Sequence, residues 1–480
     1  MSYRYIVQRA LTGQLLDTDL PLRPKTRAWE LSGVDALSGS LAPAIGGSIA
    51  EDDRSLLEEW GSYVYLEADG IIRLGGIVVS SKLVGSEWEI ECAGFTTYPH
   101  GIPFDGDEYL REKVDPADVV RDIWGHVQAH RDADLGVQVT GSTTVRIGTE
   151  STRQVRFYEA MVKERDAIVK VAQKAYDDVR KIKEQRYKEK QAALKVKQAA
   201  QKTLTAAKKA GTGVAAAQAA YNAAKTAYDA AVTVSKAATA ALVGPKNVLD
   251  QRKEDRDAAK EKVSDWKERE NEDGGAYLLQ WWDSPDLGRE IAELAETTPF
   301  DFTEHHTWND DHTAIAHELR IHYPRAGRRR TDLSFEQGVN IVAFDSPERE
   351  GDGFANEIIG IGAGEGAGSV RRTTALRDGR LRRPRVVTAK DIKNRTRMDA
   401  VIRTELERSR QLLTIPSITV KDHPHAEIGS WELGDDIRVE VDLPWWGQQS
   451  IWHRVIAWEL LTDTTAKLTL ARSDSFTYGG

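Results

Sequence analysis

Five of the eleven histidines fall at His305, His306, His312, His317 and His322, and such density raises metal ligation first. A helical metal motif sets two histidines four apart with a glutamate between them, H-E-x-x-H, so that both imidazoles reach one ion and the carboxylate serves as base. Here His317-Glu318 is followed by Leu319, Arg320 and Ile321, and the stretch alternates as a strand does. On a strand His317 and His322 point to opposite faces. The motif fails, and ordinary strand and loop histidines are expected. Gly360, Gly362, Gly364, Gly366 and Gly368 alternate ahead of Arg371-Arg372. A dinucleotide fingerprint needs G-x-G-x-x-G opening a helix, and a Walker loop needs a lysine followed by Ser or Thr. Neither is present, so a strand-to-strand passage is expected, with an anion held by Arg371 and Arg372 as the sharper alternative.

Adjacent carboxylates at Asp52-Asp53, Glu58-Glu59, Asp310-Asp311 and Asp435-Asp436 diverge on a strand, whereas catalytic acid pairs converge from separate segments. Glu304 and His306 are candidates for a hidden acid–base site only because both are polar and near aromatic residues. Cys92 is the single cysteine; it excludes an internal disulfide and a cysteine-based zinc site, and reads as core rather than nucleophile. Basic runs at Arg328-Arg329-Arg330 and from Arg380 to Arg385 read as solvated turns or inter-subunit salt bridges before polyanion sites. Trp445, Trp446 and Trp452 have the chemistry to stack on sugars, and equally to fill a core. The expectation is no catalytic, cofactor-binding or metal-ligating residue, and a protein that is not an enzyme.

The elements that would position these residues lie on either side of a helical tract, residues 153–273. Helical spacing runs from Gln154 to Lys209, breaks at Gly211-Thr212-Gly213, and resumes from Val214 toward Asn271. A glycine ending one helix and another opening the next make an αα-hairpin, with arms of roughly 80 Å at about 1.5 Å per residue. A heptad seam runs through Val155, Tyr158, Val162, Val169, Ala172, Tyr176 and Val179, and through Val214, Ala217, Tyr221, Ala224, Tyr228, Ala231, Ala238 and Leu242. With Thr212 at the tip, Tyr176 should face Val248, Val162 lie near Val263 and Tyr158 near Trp266. Beyond Ala192 the seam is mostly Ala. Large seam residues contribute about 1.5 to 3 kcal/mol each against about 1 to 2 kcal/mol per ordered residue, so the tip should be the weaker half. Pro245 should kink the return arm near Val243.

Strand-like runs precede the tract: Arg4 to Gln8, Ala28 to Ser32, Ser38 to Ala42, Tyr63 to Ala68, Ile71 to Lys82 and Trp88 to Gly94. One helix opens at Asp115-Pro116. After the tract, Leu287 to Ala295 reads as helix, Thr313 to Tyr323 as strand, Lys390 to Leu413 as helix, and Ser417 to Lys421, Asp436 to Val441, Trp452 to Leu461 and Ala466 to Arg472 as strands. The fold class is α+β, with two mostly β, barrel-like domains (1–152 and 414–480), an α+β segment (274–413) and an inserted antiparallel helical hairpin, or coiled coil (153–273).

The chain has 480 residues and a net charge of −9, so no global field favours nucleic acid or an anionic membrane. Basic residues from Lys181 to Lys197 and acidic ones from Asp250 to Glu268 read as complementary arms of one hairpin. No run approaches the ~20 apolar residues of a membrane span and no signal-peptide core is evident, so a protein made and kept in a cytoplasm, or leaving it without the general secretory route, is expected.

TPFDF (Thr298 to Phe302) ahead of Trp308, YPRAGRRRTDL (Tyr323 to Leu333), Asn340 leading into the glycine run, LGDDIRVEV (Leu433 to Val441), ARSDSF (Ala471 to Phe476) and IECAGFTTYP (Ile90 to Pro99) together resemble the minor tail proteins of long-tailed actinobacteriophages. The group meant is the tail-hub group, similar to the baseplate hub of contractile-tailed phages. The resemblance covers about residues 1–150 and 275–480. It implies a homotrimeric ring at the tail tip of the virion, assembled in the host bacterial cytoplasm. Its partners would be the distal tail protein, the tape-measure protein and host-binding proteins of the tail tip. The size of the 153–273 insertion departs from the simplest hub. A host-recognition module binding cell-surface carbohydrate through Trp445, Trp446 and Trp452, and a cell-wall-degrading tail enzyme using Glu304 and His306, are the alternatives.

Overall fold

The computed structural model describes residues 3–298, 300–349, 354–362, 369–389, 395–410 and 413–473. The chain divides into two compact units: residues 1–108, 114–146 and 279–480 form one, and residues 109–113 with 147–278 form the other.

The first unit is built on a 13-stranded sheet. Tyr3–Arg9 pairs with Leu15–Asp17 and Ser62–Ala68, and the ladder continues antiparallel through Ile71–Val84, Glu87–Ala93, Ala36–Leu41 and Arg23–Glu30. It does not stop there. Ala28, Trp29 and Glu30 pair with Glu459, Trp458 and Ala457 of Gly447–Thr462, whose other partners are Asp436–Leu443 and Thr465–Arg472. The β regions expected as separate barrel-like domains are therefore joined by a ladder. At the junction Trp29 and Trp458 stack with ring centroids 3.8 Å apart, a cross-strand aromatic pair that fixes the register. Phe335–Glu336 and Ile341–Phe344 also enter this sheet, against Asp436–Leu443 and Ser417–Lys421, although the sequence groups them with the α+β segment. Period-two alternation marks a strand without naming its partner. Apolar cores form around Val7, Leu37, Val64, Leu66, Leu74 and Val78, and around Phe335, Ile418, Val439, Val455 and Leu468.

Smaller assemblies accompany the sheet in this unit. Helix Pro116–Gln128 begins where the Asp115 side chain accepts from Ala117 N, with Pro116 in the first turn; it buries Val119, Val120, Ile123, Trp124 and Val127. Asp301–Trp308 and Ile315–His322 form an antiparallel pair, extended in parallel by Val137–Thr140. Glu357–Ile361 lies between Arg371–Ala375 and Pro384–Thr388, and its core joins Ile358 to Met398, Ile402 and Leu406 of helix Arg395–Arg410. Of the expected helix Lys390 to Leu413, residues 390–394 and 411–412 lie outside the described residues.

The second unit is the hairpin. Helix Ser151–Ala210 packs on Val214–Ala240 and Val243–Asp273. The turn is made by Gly211 and Gly213 at φ of 73° and 69°, left-handed values that a Cβ would strain. The return arm breaks at Ala241 and Leu242, as the Pro245 donor loss requires. The seam differs by one residue from the expected facing: Leu249, not Val248, packs with Val169, Ala172 and Tyr176, and Val248 is exposed. The charge pattern is corrected as well. Cross-arm pairs join Glu159 to Lys267 at 2.7 Å and Asp166 to Arg256 at 3.8 Å, acids on the first arm and bases on the second. The acidic stretch faces the base of the first arm, whereas Lys197 lies over Tyr228 at 4.6 Å, opposite the Ala-rich segment. Many of the remaining charges pair within one helix, as Arg186 with Glu189 and Lys246 with Asp250 do.

The two ends of the hairpin are stitched together. Thr149 Oγ1 and Ser151 Oγ both donate to Asp273 Oδ1 at 2.8 Å, and Ala276 N donates to Thr152 Oγ1 at 2.8 Å. Burial raises the Asp273 carboxyl, but the donors Gly275 N, Ser151 and Thr149 outweigh it and hold it below the ordinary range.

Candidate functional site

The sequence motifs converge in the first unit on two polar clasps. TPFDF supplies Asp301, YPRAGRRRTDL supplies Ala326, Gly327 and Arg330, and LGDDIRVEV supplies Gly434 and Asp435. Arg454, fully buried, donates from Nη2 to Asp301 Oδ2 at 2.5 Å and to Ala326 O at 3.0 Å, and from Nε to Gly434 O at 3.2 Å. Ala326 N donates back to Asp301 Oδ2 at 2.7 Å. Alongside, Asp435 accepts from Arg330 Nη1 at 2.9 Å, Arg328 N at 2.8 Å and Glu432 N at 3.0 Å. The loops touch backbone to backbone: a methyl group on Gly327 would collide with Gly434, and one on Gly434 would sit 2.5 Å from Ala326 O.

The second clasp joins IECAGFTTYP to the candidate acid. Glu304 accepts from Phe95 N and Thr96 N, each at 2.9 Å, and from the Thr96 hydroxyl. Gly94 is glycine because the carboxylate occupies the space of a Cβ. Burial pushes the Glu304 carboxyl up to about 7 against these donors, which pull it down. His306 and His317 meet across their strands with Nδ1 atoms 3.0 Å apart, and Tyr65 OH lies 3.4 Å from His317 Nε2. Burial drives His317 down to about 4 and His306 well below its usual range, so both imidazoles are neutral near pH 7. His306 Nε2 is 3.8 Å from Glu304 and has no hydrogen-bond partner among the described residues. A cavity of about 590 Å³ borders Glu304, His306, Asp35, Trp29, Trp431 and Trp458. Sequence reasoning therefore named Glu304 and His306 but not their partners: nothing in the local pattern joins position 304 to 95 and 96.

Comparison with known proteins yields no matching family model and no matching curated protein. Among solved structures, a 43 kDa tail protein of prophage MuSo2 from Shewanella oneidensis aligns over 99% of this chain and 99% of its own, at 10% identity and a TM-score of 0.45. A tail protein from Neisseria meningitidis MC58 aligns over 97% and 96%, at 11% identity and 0.41.

The other candidates distribute differently. His305 and His322 flank Thr303 Oγ1, at 3.0 and 2.8 Å, and His312 stacks on Trp308, so the five histidines do not share one point. The basic runs are engaged within the chain rather than left for a polyanion. Arg330 pairs with Asp332 and Asp435, Arg382 with Glu357, and Arg385 with Glu405. Arg372 makes a two-pronged contact with Asp399 at 2.6 and 2.8 Å, which offsets the charge an anion would need. Gly360 lets Met398 and Ile402 approach; Gly364, Gly366 and Gly368 lie outside the described residues. Cys92 is buried, and burial raises its thiol. Of the three tryptophans, Trp445 is 99% exposed at the turn between Asp436–Leu443 and Gly447–Thr462, and Trp452 lies under the Arg329 guanidinium at 4.6 Å. No described helix is long and apolar enough to cross a membrane.

Proposed function

We propose that this chain is a structural component of a bacteriophage tail, a tail-hub or baseplate-hub-like protein that forms a homotrimeric ring at the tail tip. In this reading it closes the tail tube and connects distal tail, tape-measure and host-binding proteins, and it has no enzymatic turnover. The observation that carries the reading is where the hub-like motifs land. They do not line up as nucleophile, base and oxyanion donors. They form the Asp301–Arg454 clasp, which ties together segments that follow the hairpin, and the Glu304–Thr96 clasp, which binds a segment before the hairpin to one after it. Residues 153–273 are then an accessory insertion, available to other copies or neighbouring tail proteins as a coiled coil. Light scattering on the purified chain tests it: a mass of three times 53.4 kDa is expected, and a monomer at all concentrations would contradict it.

A second reading, carbohydrate recognition at the host surface, is favoured by one observation, the fully exposed Trp445. Sedimentation with host cell walls compares wild type with Trp445→Ala: lost binding supports it, and unchanged binding removes it.

A further inference from the structure

Helix Pro116–Gln128 ends beside a loop in a way that brings three metal-ligating side chains together. Ala129 N bonds back to Gly125 O at 3.0 Å, and His130 N to Val127 O at 3.4 Å, so the helical course continues far enough to set His126 and His130 four apart on one face. Asp105 approaches from the loop. Its Oδ1 lies 2.9 Å from His126 Nε2 and 3.2 Å from His130 Nε2, and the three ligand atoms all fall within 4.8 Å of one another. The loop is anchored rather than free: Phe104 N donates to Pro285 O at 3.0 Å, the Phe104 ring is 93% shielded beside the His126 ring, centroids 4.8 Å apart, and Gly106 has the Phe104 ring where a Cβ would be. Three donors around a tetrahedral ion with bonds of about 2.0–2.1 Å stand about 3.4 Å apart, close to the 2.9 and 3.2 Å that separate Asp105 from the two imidazoles.

We propose that Asp105, His126 and His130 form a binding site for a divalent transition-metal ion of the zinc class, with the remaining coordination positions open to solvent. Two imidazole nitrogens with one carboxylate oxygen select Zn²⁺, Co²⁺ or Ni²⁺ over Ca²⁺ or Mg²⁺, which take oxygen donors. The ion would lock the loop at Asp105 to the C-terminal end of the helix, a joint now held by hydrogen bonds.

Titration calorimetry with ZnCl₂ and absorption with CoCl₂ on the full chain test the site. The wild type is expected to take up one ion per chain and to give the intense visible band of four-coordinate Co²⁺. His130→Gln and Asp105→Asn, both at exposed positions, should each weaken binding at least about 10-fold. His423→Gln/His425→Gln, which removes another close histidine pair, should bind as the wild type does. The proposal is overturned by a wild type that binds neither ion, by the Asp105 and His130 variants binding unchanged, or by loss of binding in the His423/His425 variant.

Discussion

Gly327 and Gly434 meet where two loops cross with no room for a methyl group, and both hold left-handed backbone, at φ of 76° and 86°. Gly434→Ala must therefore strain its own backbone and displace the Ala326 carbonyl, which accepts from buried Arg454. We expect a loss of about 2–4 kcal/mol in the urea unfolding free energy; a midpoint equal to wild type would contradict the clasp. The buried His317 and Glu304 give a pH prediction. His317 titrates near 4 when folded, so the unfolded chain binds more protons between about pH 4 and 6.5, and stability falls with acid across that window by about 3 kcal/mol if the shift is fully expressed. His305 and His306 act in the same direction. Glu304, near 7, acts oppositely: the folded state binds more protons between about 4.5 and 7, so stability falls as pH rises, and Asp35 works with it. Glu304→Gln should steepen the acid-side fall in Tm and His317→Gln should flatten it. Identical profiles in all three proteins would refute this assignment. At this scale the motif residues were legible as a set, but their contacts were not. Asp301 and Arg454 lie far apart in sequence, and no local pattern encodes that distance.

Within the hairpin, burial is unequal in kind. The base buries Val155, Val169 and Leu249, while the upper half buries Ala217, Ala224 and Ser235, with Leu204 as its large buried seam residue. Amide exchange should be faster from about Ala199 to Ala231 than around Val169 to Tyr176, because small side chains bury little area per residue. Uniform protection along both arms would contradict this. Leu249→Ala should cost about 2 kcal/mol and raise exchange near Val169. The turn and the break were legible because Gly211, Gly213 and Pro245 act through their own backbone. The seam was not fully legible: counting back from Thr212 treats both arms as unbroken, whereas the return arm breaks at Ala241 and Leu242, and Leu249 takes the place expected of Val248. The four-residue spacing of His126 and His130 is legible in the sequence, but Asp105 joins them from a separate loop, which no local pattern encodes.

At the scale of the chain, α+β character and most strands followed from alternation, whereas the merging of N- and C-terminal strands into one ladder did not. Sheet partnership is decided by tertiary pairing such as Trp29 with Trp458, on which alternation is silent. The ladder and the Glu304 clasp tie residues 1–108 to 279–473 without using a hairpin residue, and Asp273 with Thr149 and Ser151 keeps the hairpin's ends side by side. Removal of the arms should then leave folding and assembly intact. The most direct test replaces residues 160–266 by a short flexible linker and measures the mass of the product in solution beside the full chain. A soluble, cooperatively folded trimer is the predicted result, and a product that unfolds, or stays monomeric where the full chain is trimeric, would contradict the account.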